Sequence, residues 1–111
     1  MAAKIESYRD LIVWQQAMDL AVSIYETTRA WPKGAATSVP ADIAEGYGRE
    51  SRASYQQFLR IAQGSLKELE THLLIAQRVG ITSHQATEPL MNRSESVGTL
   101  LRPLVRKLSP E

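Results

Sequence analysis

Apolar residues recur along this chain at intervals of three and four and never in sustained alternation, so the pattern predicts helices and no strands. The first stripe is Trp14, Ala17, Met18, Ala21, Val22, Tyr25 and Thr28, on one face of a helix capped by Asp10 and running to Ala30. Pro32 stops it, because the proline ring cannot follow the helical path and disfavours helical geometry at Trp31. Trp31-Pro32-Lys33-Gly34 then reads as a loop. A second apolar segment runs from Ala35 to Gly46, with Ala36, Val39, Ile43 and Ala44 inward. Pro40 predicts either a kink there or a helix that starts at Ser38. Gly46-Tyr47-Gly48 ends the segment through a left-handed turn.

The third stripe has the clearest period. Ser51 caps it, and Tyr55, Phe58, Leu59, Ala62, Leu66, Leu69, Leu73 and Ala76 follow at nearly heptad spacing as far as Val79, with Gly80 at the C-terminal cap. Gly64 interrupts it at a cost of about 1 kcal/mol in helix propensity, which predicts a close crossing with a neighbouring helix. A fourth segment opens at Thr82 or Ser83 and carries Ala86, Leu90, Val97, Leu100, Leu101, Leu104 and Leu108. Pro89 lies near its first turn, and Pro103 predicts a bend or an early end near Arg102. Long helices joined by short connections pack antiparallel, so the expected fold is all-α, a single up-and-down bundle over residues 1–111.

Composition fits that picture: 43% hydrophobic and 23% charged residues are the balance of a globular domain. The absence of cysteine excludes a disulfide framework, a thiolate metal site and a cysteine nucleophile, and suits a reducing compartment. The N-terminus lacks the apolar run of a signal peptide and no stretch is long enough to span a membrane, so a cytoplasmic protein is expected. The net charge of +1 is unevenly spread: residues 1–48 carry four basic and six acidic side chains, residues 49–111 nine and six. The second half is therefore compatible with a nucleic-acid face, although a solvated bundle surface looks much the same.

No catalytic constellation emerges. His72 and His84 are the only imidazoles; Glu68 and His72 stand one helical turn apart, but two groups are too few for a stable metal site and read better as an ion pair. Ser65 is two turns from His72, too far for activation. Gly46-Tyr47-Gly48-Arg49 lacks the strand and third glycine of a dinucleotide loop and reads as a helix–helix turn. Asp42, Glu45 and Glu50, flanked by Arg49 and Arg52, are expected to form salt bridges at that turn rather than do acid–base work. No cofactor or enzyme activity is expected. Arg52, Arg60, Lys67 and Arg78 share one stripe of the third helix and, with Arg49, form the candidate nucleic-acid contacts, diluted by Glu68 and Glu70. Arg102, Arg106 and Lys107 suit the negative end of the fourth helix dipole. Trp14, Tyr25, Tyr55 and Phe58 are expected in the core, while Tyr8, Trp31 and Tyr47 lie at element ends as candidate subunit contacts.

Three ordered stretches resemble a known family. They are Tyr8-Arg9-Asp10-Leu11-Ile12-Val13-Trp14-Gln15, the run from Ser38 through Ala41-Asp42-Ile43-Ala44-Glu45-Gly46-Tyr47-Gly48 to Arg49, and the run from Phe58 through Gln63-Gly64-Ser65-Leu66 to Glu70. They are similar to the bacterial four-helix bundle proteins encoded by intervening sequences of 23S rRNA genes. The resemblance covers residues 8–80 in register, and the fourth helix only in general character. It implies a four-helix bundle that assembles as a ring-shaped homopentamer. The accessory protein of diversity-generating retroelements looks like a relative; it pairs with a reverse transcriptase and contacts nucleic acid through a basic surface. Members of the family carry a longer stretch before Ala35-Ala36, which builds the first half of their second helix. A second helix of about 12 residues spans roughly 18 Å against roughly 42 Å for the third, leaving apolar seam uncovered. Either the helix is truly short or a segment intervenes between Gly34 and Ala35, and the mismatch favours the second. The expected function is a non-catalytic, self-assembling interaction module; the alternative is an accessory protein that binds RNA or DNA, with a protein partner such as a reverse transcriptase.

Overall fold

The computed structural model describes residues 4–27 and 34–109. After a short 3-10 turn at Tyr8–Asp10 come four α-helices: α1 (Ile12–Thr27), α2 (Gly34–Tyr47), α3 (Arg52–Arg78) and α4 (His84–Leu108). No strand occurs among the described residues. Packing follows chain order around a square: α1 on α2, α2 on α3, α3 on α4, and α4 back on α1, with the diagonal pairs apart. Neighbours run antiparallel. Near the start of α3, Arg52 and Gln56 donate to the Lys107 and Val105 carbonyls at the end of α4, at 2.7 and 2.9 Å. The end of α1, at Ser23 and Thr27, likewise lies beside Ala86 and Pro89 at the start of α4. The fold is the all-α, antiparallel four-helix bundle that the periodicity and the resemblance together predict.

Helix boundaries follow local chemistry. Ser51 and Ser83 cap α3 and α4, each hydroxyl accepting from the backbone N–H three residues on, at 3.0 and 3.1 Å. Gly80, at φ +83°, closes α3, with the Ile81 N–H bonded to the Ala76 carbonyl at 2.9 Å. Asp10 is not the cap expected for α1. Its carboxylate turns back to accept from the Glu6 and Ser7 N–H groups at 2.9 and 3.1 Å, closing the 3-10 turn, and α1 begins after Leu11. Those two bonds favour the ionised form and hold the Asp10 carboxyl below its ordinary range.

Several expectations are corrected. Gly34 and Ala35 are consecutive residues of one helix, and the Gly34 carbonyl accepts from the Thr37 and Ser38 hydroxyls at 3.1 and 2.7 Å. No segment intervenes between them, so α2 is short. It starts neither at Ala35 nor at Ser38, and Pro40 lies inside it. Pro103 does not end α4, which continues to Leu108. Its ring is exposed, where the helix can bow away from the Thr99 carbonyl while Leu101 and Val105 stay buried. Gly46 is not in a left-handed turn: it is helical and buried, and a Cβ there would lie 2.7 Å from the Phe58 Cβ. The close crossing belongs to this glycine. Gly64 faces open space, with nothing within 4 Å of an added Cβ.

The core is built from Leu20, Ile24, Val39, Ile43, Leu59, Leu66, Leu73, Val97 and Leu101, all fully buried, with Ala17, Ala36 and Ala62 letting the helices approach. Each large side chain contributes about 1.5–3 kcal/mol by leaving water. Because α2 has 14 residues and α3 has 27, and the end of α2 packs at Tyr55 and Phe58, the last turns of α3 run past it. Ile75 and Val79 there are 53% and 64% exposed, the uncovered seam that a short second helix entails.

Candidate functional site

Two surfaces carry more than the fold requires. The first lies between α1 and α2. The buried stripe of α1 is Val13, Ala17, Leu20, Ala21 and Ile24, rotated from the one that the spacing suggested. Met18, Val22 and Tyr25 are 37, 50 and 47% exposed, and Trp14 is half-buried, so α1 has a second apolar stripe that the core does not use. With Pro40, Ala41 and Ala44 of α2 this stripe lines an open groove of about 400 Å³. Tyr8 closes one end, its ring edge-on to Trp14 with centroids 5.2 Å apart. Trp14 and Tyr55 are only partly buried against the core and Tyr25 is exposed, so the expected core aromatics are displaced outward.

Of the candidate subunit contacts, Tyr8 belongs to this groove. Tyr47 is half-buried at the end of α2 and packs edge-on against Tyr55, with centroids 6.1 Å apart. Trp31 lies outside the described residues. Burial and, to a lesser extent, the neighbouring Tyr47 push the Tyr55 phenol upward. Asp42, on α2, is raised chiefly by burial and secondarily by the Glu45 carboxylate.

The second surface is the outer groove between α3 and α4. Ser94, wholly buried, donates to the Glu70 carboxylate at 2.5 Å, and Lys67 reaches the other carboxylate oxygen at 3.2 Å. Lys67 and this pair line a recess of mixed charge together with Glu95, Gly98, Thr99 and Arg102. One turn further along, Gln63, Val105, Arg102 and Arg106 line a second recess. Arg60 is one heptad before Lys67 and shares its line on the exposed flank of α3. Arg52 stands at the end of the groove, bonded to the Lys107 carbonyl that the helix terminus leaves without a partner.

The structure therefore divides the predicted cations. Lys67 shares one recess with Arg102, and Arg102 shares the next with Arg106; Arg52 reaches the end of α4, while Arg60 lines neither recess. Arg49 does not join them: it pairs with Glu45 at 2.9 Å and lies over the Phe58 ring, 4.7 Å from its centroid, fixing the α2–α3 turn. Arg78 is in the last turn of α3, beyond Glu70. Sequence reasoning placed Arg102 and Arg106 at a helix dipole and missed their part here. The signal was available: residues 51–67 and 96–109 contain no Asp or Glu, and antiparallel pairing puts these two stretches side by side.

No group of three or more His, Asp or Glu side chains able to hold a metal ion occurs among the described residues. Nor, among those residues, is any helix long and apolar enough to cross a membrane. No curated protein matches the chain. The model of the 23S rRNA-intervening sequence protein family matches residues 9–102, which takes in α1, α2 and α3 whole and α4 as far as Arg102, and the chain belongs to that family.

Proposed function

We propose that this protein is a non-catalytic module that assembles with copies of itself through the apolar groove between α1 and α2. The observation that carries the reading is the second apolar stripe on α1, with Met18, Val22 and Tyr25 left 37 to 50% exposed beside a groove lined almost wholly by apolar atoms. A folded chain that buries one stripe has no internal use for another. Contiguous exposed apolar surface of this kind marks interaction sites, and each Å² removed from water on assembly returns about 25 cal/mol. Tyr, Trp and Met, all present here, are the residues that interface centres favour. The resemblance implies a ring of five, which requires a head-to-tail contact that closes.

Sedimentation velocity at micromolar concentration tests the proposal. The wild-type chain is expected to sediment as a closed oligomer, a pentamer by the resemblance, and Val22→Arg as a monomer with unchanged helical circular dichroism. A wild-type chain that stays monomeric across the concentration range refutes self-assembly. A Val22→Arg oligomer as stable as wild type refutes the groove as its face.

A further inference from the structure

We infer that the apolar end of α3, left bare by the short α2, is the surface that a second copy of this chain presents to the α1/α2 groove, so that subunits join head to tail. The inference rests on assembly through that groove and supplies the other half of the contact. The bare seam exists because α2 stops short of the last turns of α3, so this half belongs to this chain rather than to four-helix bundles in general.

Three observations converge. The first is that apolar surface is in surplus at two separate places. Met18, Val22 and Tyr25 line the groove from α1, whereas Ile75, Val79 and Ile81, at the end of α3 and in the turn after it, are 53 to 64% exposed. The groove opens between α1 and α2, and the seam lies on α3 past the start of α2. All four helices are packed into one core, so a chain cannot bend its own α3 end into its own groove. A second copy must bring it.

The second is shape. The groove is an open trough of about 400 Å³ between two helices, with Pro40, Ala41 and Ala44 on its α2 wall. The end of α3 is its converse, a helix with one flank uncovered. Ile75 and Val79 stand one turn apart on one face of it, and Ile81 follows just beyond. An apolar groove takes an amphipathic helix through anchors at this spacing.

The third is charge. α1 and α2 carry the carboxylates Asp19, Glu26, Asp42 and Glu45 and no Lys or Arg. Asp19 and Glu26 are exposed and stand three residues before and four after Val22, on the rim of the groove. Residues 71–87, which include the bare end of α3, contain no carboxylate. Their Arg78 is exposed, three residues after Ile75, and makes no ion pair among the described residues. This asymmetry decides between pairing modes. Groove against groove would set carboxylates facing carboxylates, and seam against seam would set Arg78 facing Arg78. Groove against seam brings opposite charges together at the rim. A contact between two different surfaces is also the kind from which rings are built.

Sedimentation velocity of the full chain at micromolar concentration tests the pairing. Ile75→Arg, at an exposed helical position, should be monomeric like Val22→Arg, and a 1:1 mixture of the two should form a heterodimer and nothing larger. In that dimer the intact α3 end of the Val22→Arg copy occupies the intact groove of the Ile75→Arg copy, and the remaining surface of each is blocked. Ile61→Arg, two heptads earlier on α3 and also exposed, should assemble as wild type does. Arg78→Glu, which removes no apolar anchor, should raise the dissociation constant about fivefold. Unchanged helical circular dichroism identifies variants that remain folded; Val79→Arg, at the C-cap of α3, takes the place of Ile75→Arg should that variant lose helix. A wild-type chain that stays monomeric refutes assembly and this inference with it. Three results overturn the inference alone and leave the groove reading in place: Ile75→Arg assembling as stably as wild type, a mixture of the two monomeric variants that stays monomeric, or Ile61→Arg as disruptive as Ile75→Arg.

Discussion

Replacing Gly46 and Gly64 by alanine gives opposite results if the helix crossings are as described. Both glycines are helical and each forfeits about 1 kcal/mol of propensity relative to alanine. At Gly64 an added Cβ meets nothing within 4 Å, so Gly64→Ala keeps the whole gain. At Gly46 the Cβ would stand 2.7 Å from the Phe58 Cβ and 3.1 Å from Tyr55 Cδ1. The Phe58 Cβ is tied directly to the α3 backbone and cannot swing aside, so α2 and α3 must part. Overpacking of that kind costs about 1–3 kcal/mol, and several core contacts along α2 loosen with it. The expected net changes are a stabilisation of about 1 kcal/mol for Gly64→Ala and, once the same propensity gain is set against overpacking, a loss of up to about 2 kcal/mol for Gly46→Ala. Urea unfolding followed by circular dichroism, at one fixed protein concentration because assembly makes apparent stability concentration-dependent, measures both. A shift of roughly 4 °C in melting temperature per kcal/mol gives an independent check. Gly46→Ala as stable as Gly64→Ala would refute the close α2–α3 crossing.

Two further predictions concern buried polar groups and pH. Ser94→Ala removes the hydroxyl that serves the largely shielded Glu70 carboxylate and should cost about 1.5–3 kcal/mol by urea unfolding; the additional change Glu70→Gln should recover part of it, and a double variant that loses the full sum refutes the coupling. The Asp10 carboxyl lies lower in the folded chain than its ordinary range, so its contribution is present at neutral pH and is lost as pH falls through its folded value. Asp10→Asn should therefore be less stable than wild type at pH 7 and indistinguishable from it in strong acid. A gap that persists in strong acid would exclude the ionised carboxylate as its source.

Helix number, order and the α3 core were readable from spacing because Leu59, Ala62, Leu66, Leu69 and Leu73 obey one period and all are buried. The first helix was misread for a physical reason. It is apolar on two adjoining stripes, and periodicity cannot say which of them meets the core; Ala17 and Ala21 lie on the border and belong to both readings. Prolines misled in the same direction twice. Pro40 and Pro103 each remove one backbone bond, yet packing of Val39, Ile43, Leu101 and Val105 outweighs that local penalty. Glycine roles were exchanged because a helical glycine marks either a close neighbour or none, and only the neighbour's coordinates distinguish Gly46 from Gly64. The candidate cations on α3 were named from one helix alone. Their partners Arg102 and Arg106 became visible only when antiparallel pairing joined the two carboxylate-free stretches.

The packing of the helices in chain order around a square keeps two faces of the bundle independent of each other. A contact made through α1 and α2 would leave the α3/α4 side in water, so either side could change without the other. A substitution at Val22 would then alter assembly and leave the Ser94–Glu70 bond on the far side intact.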